Sequence, residues 1–327
     1  MYIFNKLYNC GIFQGAGKQK HYFEGWYFKH VDMTEQNIVC VIPGVSIEEN
    51  ETKSHAFIQI IDGSTYKTYY VRYDMEAFSF SKEHFQIRIA ENVFSDKGID
   101  LNIEAEDIKL QGKLTYSKSI GWPSGIASPN SMGWYAYIPI MECYHGVLSL
   151  QHKIEGQIKL NDREICFDKG VGYMEKDWGT SFPSAWIWLQ SNHFDIENTS
   201  LMLSIAKIPW RQKSFIGFII GLWHENKLYR FTTYTGAKID YLKLMDKDGW
   251  IKISDMSYDM FIEAQQGSSG SLQAPIKGAM TGNVMESISG TASIKLNDKK
   301  TGRCILDTKA RCCGMEVEGN IQEFSLP

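Results

Sequence analysis

The sequence predicts an all-β fold of two tandem antiparallel barrels with few short helices, and three observations carry that expectation. Apolar residues alternate with a period of two over much of the chain, the period of a half-buried strand. Turn-forming residues punctuate these runs at Asn161-Asp162, Glu225-Asn226, Asp246–Gly249 and Asn297-Asp298. Short markers also recur in the same order in the two halves of the 327 residues, as internal repeats do.

The alternation can be followed element by element. In SHAFIQII, His55, Phe57, Gln59 and Ile61 share one face, and Phe85–Ala90 is a second candidate strand. Trp186–Asn192 sets Trp186, Trp188, Gln190 and Asn192 on one face and aliphatic residues on the other. Ser200–Ala206, Phe215–Trp223 and Lys227–Tyr234 follow. The run FIGFIIGLW at Phe215–Trp223 is too short for a spanning helix and reads as a buried strand. No window gives a long amphipathic helix.

The repeat rests on paired markers. Met141-Glu142 precedes IKLND at Ile158–Asp162, and Met285-Glu286 precedes IKLND at Ile294–Asp298. Pro129 and Pro275 lie upstream of these pairs, and Glu24/Trp26 and Glu175/Trp178 open the two halves. The expected domains are residues 1–168 and 169–327, with Gln265–Ser271 a loop inside the second. An antiparallel half of about 150 residues removes its exposed edges by closing into a barrel. A barrel of about eight strands leaves room for one small ligand.

Composition narrows the function. Hydrophobic residues make up 43% and charged residues 22%, which is ordinary globular composition. A net charge of −4 with no basic run argues against a nucleic-acid partner. Aromatics at 13% favour a hydrophobic small molecule as the partner. Seven cysteines form no CxxC and are expected as free thiols in a reducing cytoplasm. The start MYIFNKLYNCGIFQG lacks a charged stretch followed by a long apolar core, so no signal peptide is expected. A lipid-like substrate would also fit a peripheral contact with a membrane. HExxH, a P-loop and the G-x-S-x-G elbow are all missing, and Gly15-Ala16-Gly17 has no βαβ context. Neither a metal nor a cofactor is expected.

The chemistry should lie where carboxylates meet aromatic rings. Glu24 stands in HYFEGWYFK (His21–Lys29), and Glu175 and Asp177 stand in GYMEKDWG (Gly172–Gly179). A carboxyl among rings can stay protonated near neutral pH, and ring faces can shelter a cation. Glu175 and Asp177 share a strand face with Lys176 opposite, so both are candidate acids; the competing reading is an ion pair that braces the domain junction. Lys176 reads as an ion-pair partner rather than a nucleophile. Glu24 is either a buried acid or a brace closing one barrel end. Glu142 and His145 are three apart and point to opposite faces of an extended strand, so a dyad between them needs a bulge. Glu142 has a counterpart in Glu286, whereas His145 has none and is the better catalytic candidate. Trp26, Glu142, Trp178, Trp186, Trp188, Gln190 and Asn192 are the candidate substrate-facing residues, with a plain core stripe as the alternative for the last four.

These stretches resemble the tocopherol cyclase family. The likeness is carried by FEGWYFK at Phe23–Lys29, PIMECYHG at Pro139–Gly146, EKDWG at Glu175–Gly179 followed by Ser181-Phe182-Pro183, WIWLQSN at Trp186–Asn192, and Ala274-Pro275 with Met285-Glu286-Ser287. They run in family order over nearly the whole chain. The resemblance implies two lipocalin-like β-barrels, a fold shared more distantly with carotenoid hydratases and certain lipocalin-like Diels–Alderases. It also implies cofactor-free, acid-promoted closure of a chroman ring on a prenylated quinol, an isomerase or intramolecular lyase activity. Plant members usually carry Asn where this chain has Asp177, so a role for Asp177 rests on its own surroundings. The chain also starts almost directly at the first motif, like a bacterial-type relative without a plastid transit segment. The same residues fit a second reading, a non-catalytic lipocalin-like carrier of an isoprenoid or other lipid.

Overall fold

The computed structural model describes residues 2–245 and 247–324. A short helix, α1 (Tyr2–Tyr8), precedes β1 (Tyr22–Val31), β2 (Ile38–Ile47), β3 (His55–Asp62), β4 (Lys67–Asp74), β5 (Phe78–Phe80), β6 (Gln86–Ile89), β7 (Asn92–Ser95), β8 (Gly98–Ala105), β9 (Ile108–Ile120), β10 (Cys143–Leu160), β11 (Arg163–Cys166) and β12 (Gly170–Gly179). The chain continues through β13 (Trp186–Ser191), β14 (His193–Phe194), β15 (Ser200–Trp210), β16 (Lys213–His224), β17 (Lys227–Thr232), β18 (Lys238–Met245), β19 (Asp248–Ser254), β20 (Tyr258–Gln265), β21 (Ser269–Ile276), β22 (Ala279–Asp298) and β23 (Cys304–Glu318). All the strand runs expected from the alternation are strands. Asp246, part of one expected turn, lies outside the described residues.

The strands form two antiparallel, lipocalin-like sheets with matching order. The first runs β4-β3-β2-β1-β12-β10-β9-β8-β7-β6-β5, and the second runs β17-β16-β15-β13-β23-β22-β20-β19-β18. In each, the strands at the two ends of the path are consecutive in the chain. The 3-10 turn Met75–Ala77 joins β4 to β5, and Thr233–Thr235 joins β17 to β18. Such short links require each sheet to curl until its ends approach. Strand β17 stops at Thr232, short of the expected Tyr234, because the Thr232 side chain accepts from Thr235 N and caps that turn. The turn expected at Asn297-Asp298 falls just beyond it: Asp298 Oδ1 accepts from the amides of Lys300 and Thr301, both at 2.9 Å.

The matching order locates the repeat. β22 carries both Met285-Glu286 and its IKLND, whereas Met141-Glu142 directly precedes β10, which ends in the IKL of the first copy; β1 corresponds to β13 as β12 does to β23. Glu24/Trp26 and Glu175/Trp178 are therefore not equivalents; they lie on adjacent strands, where Glu24 pairs with Trp178 and Trp26 with Lys176. Glu24, Trp26 and Trp178 share the inner face, whereas Glu175 points to the other side of β12. The compact units are Met1–Phe182 with Ser271–Asn283, and Pro183–Gly270 with Val284–Pro327. This division differs from the one expected at residue 168, because β12 completes the first sheet. Segment Ser271–Asn283 joins the first unit through Gln59, whose amide exchanges hydrogen bonds with Gln273 N (2.8 Å) and Gln273 O (3.1 Å), and through Ser46 Oγ to Gly278 O (2.8 Å).

Each unit has a packed interior. In the first, Trp26, Phe28, Val39, Val41, Val45, Ile58, Ile60, Phe85 and Phe94 fill the enclosed face. In the second, Ile187, Leu189, Leu203, Ile205, Ile220, Leu222 and Phe231 do so. The alternate residues, including Glu175, Asp177, Trp188 and Gln190, face outward.

Candidate active site

Lys176 faces the interior of the first unit and meets Glu24. Its Nζ lies 2.5 Å from Glu24 Oε1, and neither side chain is exposed. Glu24 also accepts from Tyr22 Oη and from the amides of Gln14 and Gly15. Lys176 Nζ donates to the carbonyls of Cys10 and Ile12, each at 2.7 Å, and lies over the rings of Trp26 (4.7 Å) and Trp178 (4.9 Å). Burial lowers the Lys176 pKa, against the opposing pull of Glu24. The pair clamps segment Cys10–Gly15 to the inner face, and Trp26 Nε1 adds a bond to Gly11 O at 2.8 Å. Glu24, Trp26 and Trp178 thus lie in a satisfied core cluster.

The outer face of the same strand carries a different constellation. β12 pairs with β10 so that His145 lies opposite Asp177, one row from Glu175. His145 Nδ1 is 3.0 Å from Asp177 Oδ1, and Nε2 is 3.4 Å from Glu175 Oε2. Tyr173 Oη donates to Glu175 Oε2. Burial acts to lower the His145 pKa, but the charges of Asp177 and Glu175 and the bond to Asp177 outweigh it and hold the imidazole at about 9. At neutral pH His145 is an imidazolium between two acids. Asp177 is the most open of the three, its side chain 25% exposed against 12% for His145 and 7% for Glu175. Glu142 stays apart: its carbonyl accepts from Thr180 N at 2.8 Å, and burial raises its carboxyl pKa.

The row continues across the sheet. Asp177 is followed by Gly25 on β1, Gly44 on β2 and Phe57 on β3. A side chain at Gly25 would meet nothing closer than 3.9 Å, so open space lies beside Asp177. At Gly44 the Phe57 ring occupies that position, 2.4 Å from where a Cβ would sit, and the ring stacks on Tyr70 at 5.2 Å. In the next row Tyr27 lies opposite Glu175, its ring 6.4 Å from that of Tyr173. Two glycines thus form a backbone shelf between an acid cluster and aromatic rings. Gly25, Gly44, Phe57, Tyr27 and Tyr173 do not stand out in the sequence as site residues. A glycine inside a strand was the available signal, since it marks close approach by a ligand or another chain segment.

The other expected wall lies in the second unit. Trp186 Nε1 donates to Glu316 Oε2 at 2.6 Å; Trp188 and Gln190 are buried on the same outer face of β13, and Asn192 follows the strand. His145, Glu175 and Asp177 also offer ligand atoms within 4.8 Å of one another and are the group among the described residues that could hold a metal ion. Cysteine and histidine spacing cannot reveal such a group, whose members come from separate strands. A cation there would compete with the proton on His145.

The titration of these histidines gives a prediction. His30 and His152 are buried in the first unit, where burial lowers their pKa values to about 4 and about 3. Their contribution is present above their unfolded value of 6.5 and is lost as pH falls below it, because the unfolded chain then binds protons more readily. His145 acts oppositely. Its contribution is complete below 6.5 and is lost as pH rises through about 9, on the order of 3 kcal/mol at most. Urea midpoints followed by tryptophan fluorescence should fall on both sides of a maximum near pH 6.5, and His145→Gln should flatten only the alkaline limb. An unchanged alkaline limb would contradict the imidazolium assignment.

Comparison with known proteins agrees with the fold and the motif. A family model described as tocopherol cyclase-like matches residues 98–319. The chain is 27% identical over 202 residues to the chloroplastic tocopherol cyclase of Zea mays, covering 58% of this chain and 42% of that protein. It is 26% identical over 216 residues to a probable chloroplastic tocopherol cyclase of Oryza sativa subsp. japonica, covering 61% and 44%. The chain thus spans less than half the length of these relatives. Among solved structures, CghA with Sch210972 superposes with a TM-score of 0.58 at 9% identity over 91% of this chain and 89% of that one. A protein of Nitrosomonas europaea described as an AttH gives 0.53 at 14% identity over 91% and 93%. At these identities the structures speak to the fold alone.

Proposed function

Because the chain belongs to the tocopherol cyclase-like family, we propose that it is a cofactor-free, acid-promoted cyclase of a prenylated quinol, with its reacting centre at the shelf beside Asp177. The observation that supports this most is the imidazolium of His145 held between Asp177 and Glu175 at 3.0 and 3.4 Å, next to open space over Gly25.

The step is balanced without an oxidant or a metal. The proton on His145 Nδ1 passes to the Asp177 carboxylate 3.0 Å away, and Asp177 delivers it to the less substituted carbon of the prenyl alkene, leaving a tertiary cation. The phenol oxygen attacks that cation and forms the ring ether. The phenol proton then returns through the Asp177 carboxylate to His145, restoring the ion pair. The Asp177 carboxylate left after transfer faces the tertiary cation and stabilises it until the phenol oxygen attacks. Glu175, which accepts from Tyr173 Oη, lies 3.4 Å from Nε2 on the other side of the imidazole. An apolar substrate covering the cluster excludes water that would capture the cation, and nearby ring faces each contribute about 0.5–2 kcal/mol to a cation they face.

The test is incubation of purified protein with a detergent-dispersed prenylated hydroquinone, followed by mass-resolved chromatography. A product of unchanged mass with a new ring supports the cyclase. A gain of one water replaces it with hydration, and quinol that binds, exchanges and returns unchanged replaces it with the carrier. Gly25→Val checks the location. It should leave the melting temperature within a few degrees, since its Cβ has room, and raise KM about tenfold or more by filling the shelf. An unchanged KM would move the substrate elsewhere.

A further inference from the structure

Between β9 and β10 the chain runs for 22 residues, Gly121–Glu142, and the first 21, Gly121–Met141, carry no charged side chain. The loop is ordered by its own hydrogen bonds. Gly125 and Ser128 exchange backbone bonds of 2.9 and 3.0 Å, a tight turn with Ile126 at its tip, 85% exposed. Ser124 Oγ donates to Pro129 O at 2.7 Å, and Tyr137 Oη to Ile126 O at 2.5 Å. In the 3-10 turn Gly133–Tyr137 the rings of Trp134 and Tyr135 stack at 4.0 Å. Trp134, Tyr137 and Ile140 are exposed, the last by 67%. Helix α1 joins the patch: Asn130 Nδ2 donates to Leu7 O at 3.3 Å, and the exposed Tyr8 brings its hydroxyl 3.4 Å from that of Tyr137.

A hydrogen-bonded frame therefore holds apolar tips outward instead of letting them fold back onto the barrel. Contiguous exposed apolar surface of this kind marks an interaction site. Tyrosine and tryptophan beside protruding aliphatic residues suit the boundary between lipid headgroups and hydrocarbon. The loop's lack of charge removes the largest cost of entering that boundary, whereas a protein partner is ordinarily registered by charged rim groups. We infer that the Gly121–Met141 loop, with Tyr8, docks the protein on a lipid surface. The inference deepens the prenylquinol reading and rests on it in one respect: the loop is tied to the strand that carries the site. Ser131 Oγ donates to His145 O at 2.9 Å and accepts from Val147 N at 3.2 Å. A docked loop thereby sets the site beside the phase in which a prenylated substrate is dissolved.

The experiment is flotation of the full chain with phosphatidylcholine vesicles, with and without phosphatidylglycerol, at low and high salt. The wild-type protein should float with both vesicle types, and salt should change its binding little, since no loop charge takes part. The double variant Ile126→Asp/Ile140→Asp should bind at least about tenfold more weakly, with an unchanged melting curve and unchanged turnover of detergent-dispersed quinol. That last arm separates the two readings, because a failed cyclase assay leaves the flotation result standing and the reverse also holds. Absence of wild-type flotation, or equal flotation by the variant, overturns the docking assignment. Binding that requires phosphatidylglycerol and vanishes in salt would move the contact to a basic surface elsewhere. A concentration-dependent dimer abolished by the same substitutions would assign the loop to a second copy of the chain.

Discussion

Replacing Asp177 with Asn should lower turnover of a prenylated quinol by roughly 10²–10⁴-fold, the range for loss of a positioned general acid. Asparagine keeps the size of the side chain and can accept from His145 Nδ1, so binding and the melting curve should survive. The kinetic split matters: kcat should fall while KM changes little, because the interaction removed belongs to the transition state. Glu175→Gln should cost less, since Glu175 acts through the imidazole, and its bond from the Tyr173 hydroxyl can be kept by an amide. The opposite order, with Asp177→Asn active and Glu175→Gln dead, would pass the donor role to Glu175 through His145. Such an outcome would align this chain with the plant proteins it resembles, in which asparagine usually stands at the Asp177 position.

The largest effect on stability is expected at Glu24. Glu24→Gln leaves the Lys176 ammonium without its counter-charge in a site with no exposure. Removing one partner of a buried pair typically costs 3–5 kcal/mol, about 10 °C in melting temperature for a unit of this size. Lys176→Met should be comparably severe, because it also frees the carbonyls of Cys10 and Ile12 from their shared donor. The double variant Glu24→Gln/Lys176→Met should lose clearly less than the sum of the singles, since neither charge is then stranded. Thermal melts of the three variants test this; a Glu24→Gln loss of under about 1 kcal/mol would show that the pair is not the clamp described here.

Much of this was legible from the residues. Strict alternation gave the strands and the faces of β3, β12 and β13, because a period of two needs no knowledge of the partner strand. The opposition of Lys176 to Glu175 and Asp177 followed the same way. What alternation cannot supply is register across distant strands. The pairings of His145 with Asp177 and of Gly25 with Asp177 span 32 and 152 positions of chain, so the partner of His145 and the glycine shelf emerge only when β1, β10 and β12 are laid side by side. Glu24 was read correctly as buried among rings, but its partner Lys176 lies on a neighbouring strand reached by the same long route. The repeat was detectable from IKLND, while its Glu/Trp markers misled because two adjacent strands of one sheet had acquired the same pattern.

The composition of the first unit bears on how the chain is made. Its sheet cannot close until β12 has been synthesised, and segment Ser271–Asn283, the end of β21 and the start of β22, leaves the ribosome about a hundred residues later. At about 5–20 residues per second that interval is on the order of 5–20 seconds. During it, Ser46 and Gln59 lack Gly278 and Gln273, the backbone partners they bind in the finished fold. The nascent protein therefore spends most of the making of its second half with the first one unfinished, so the first unit is complete only when the second nearly is.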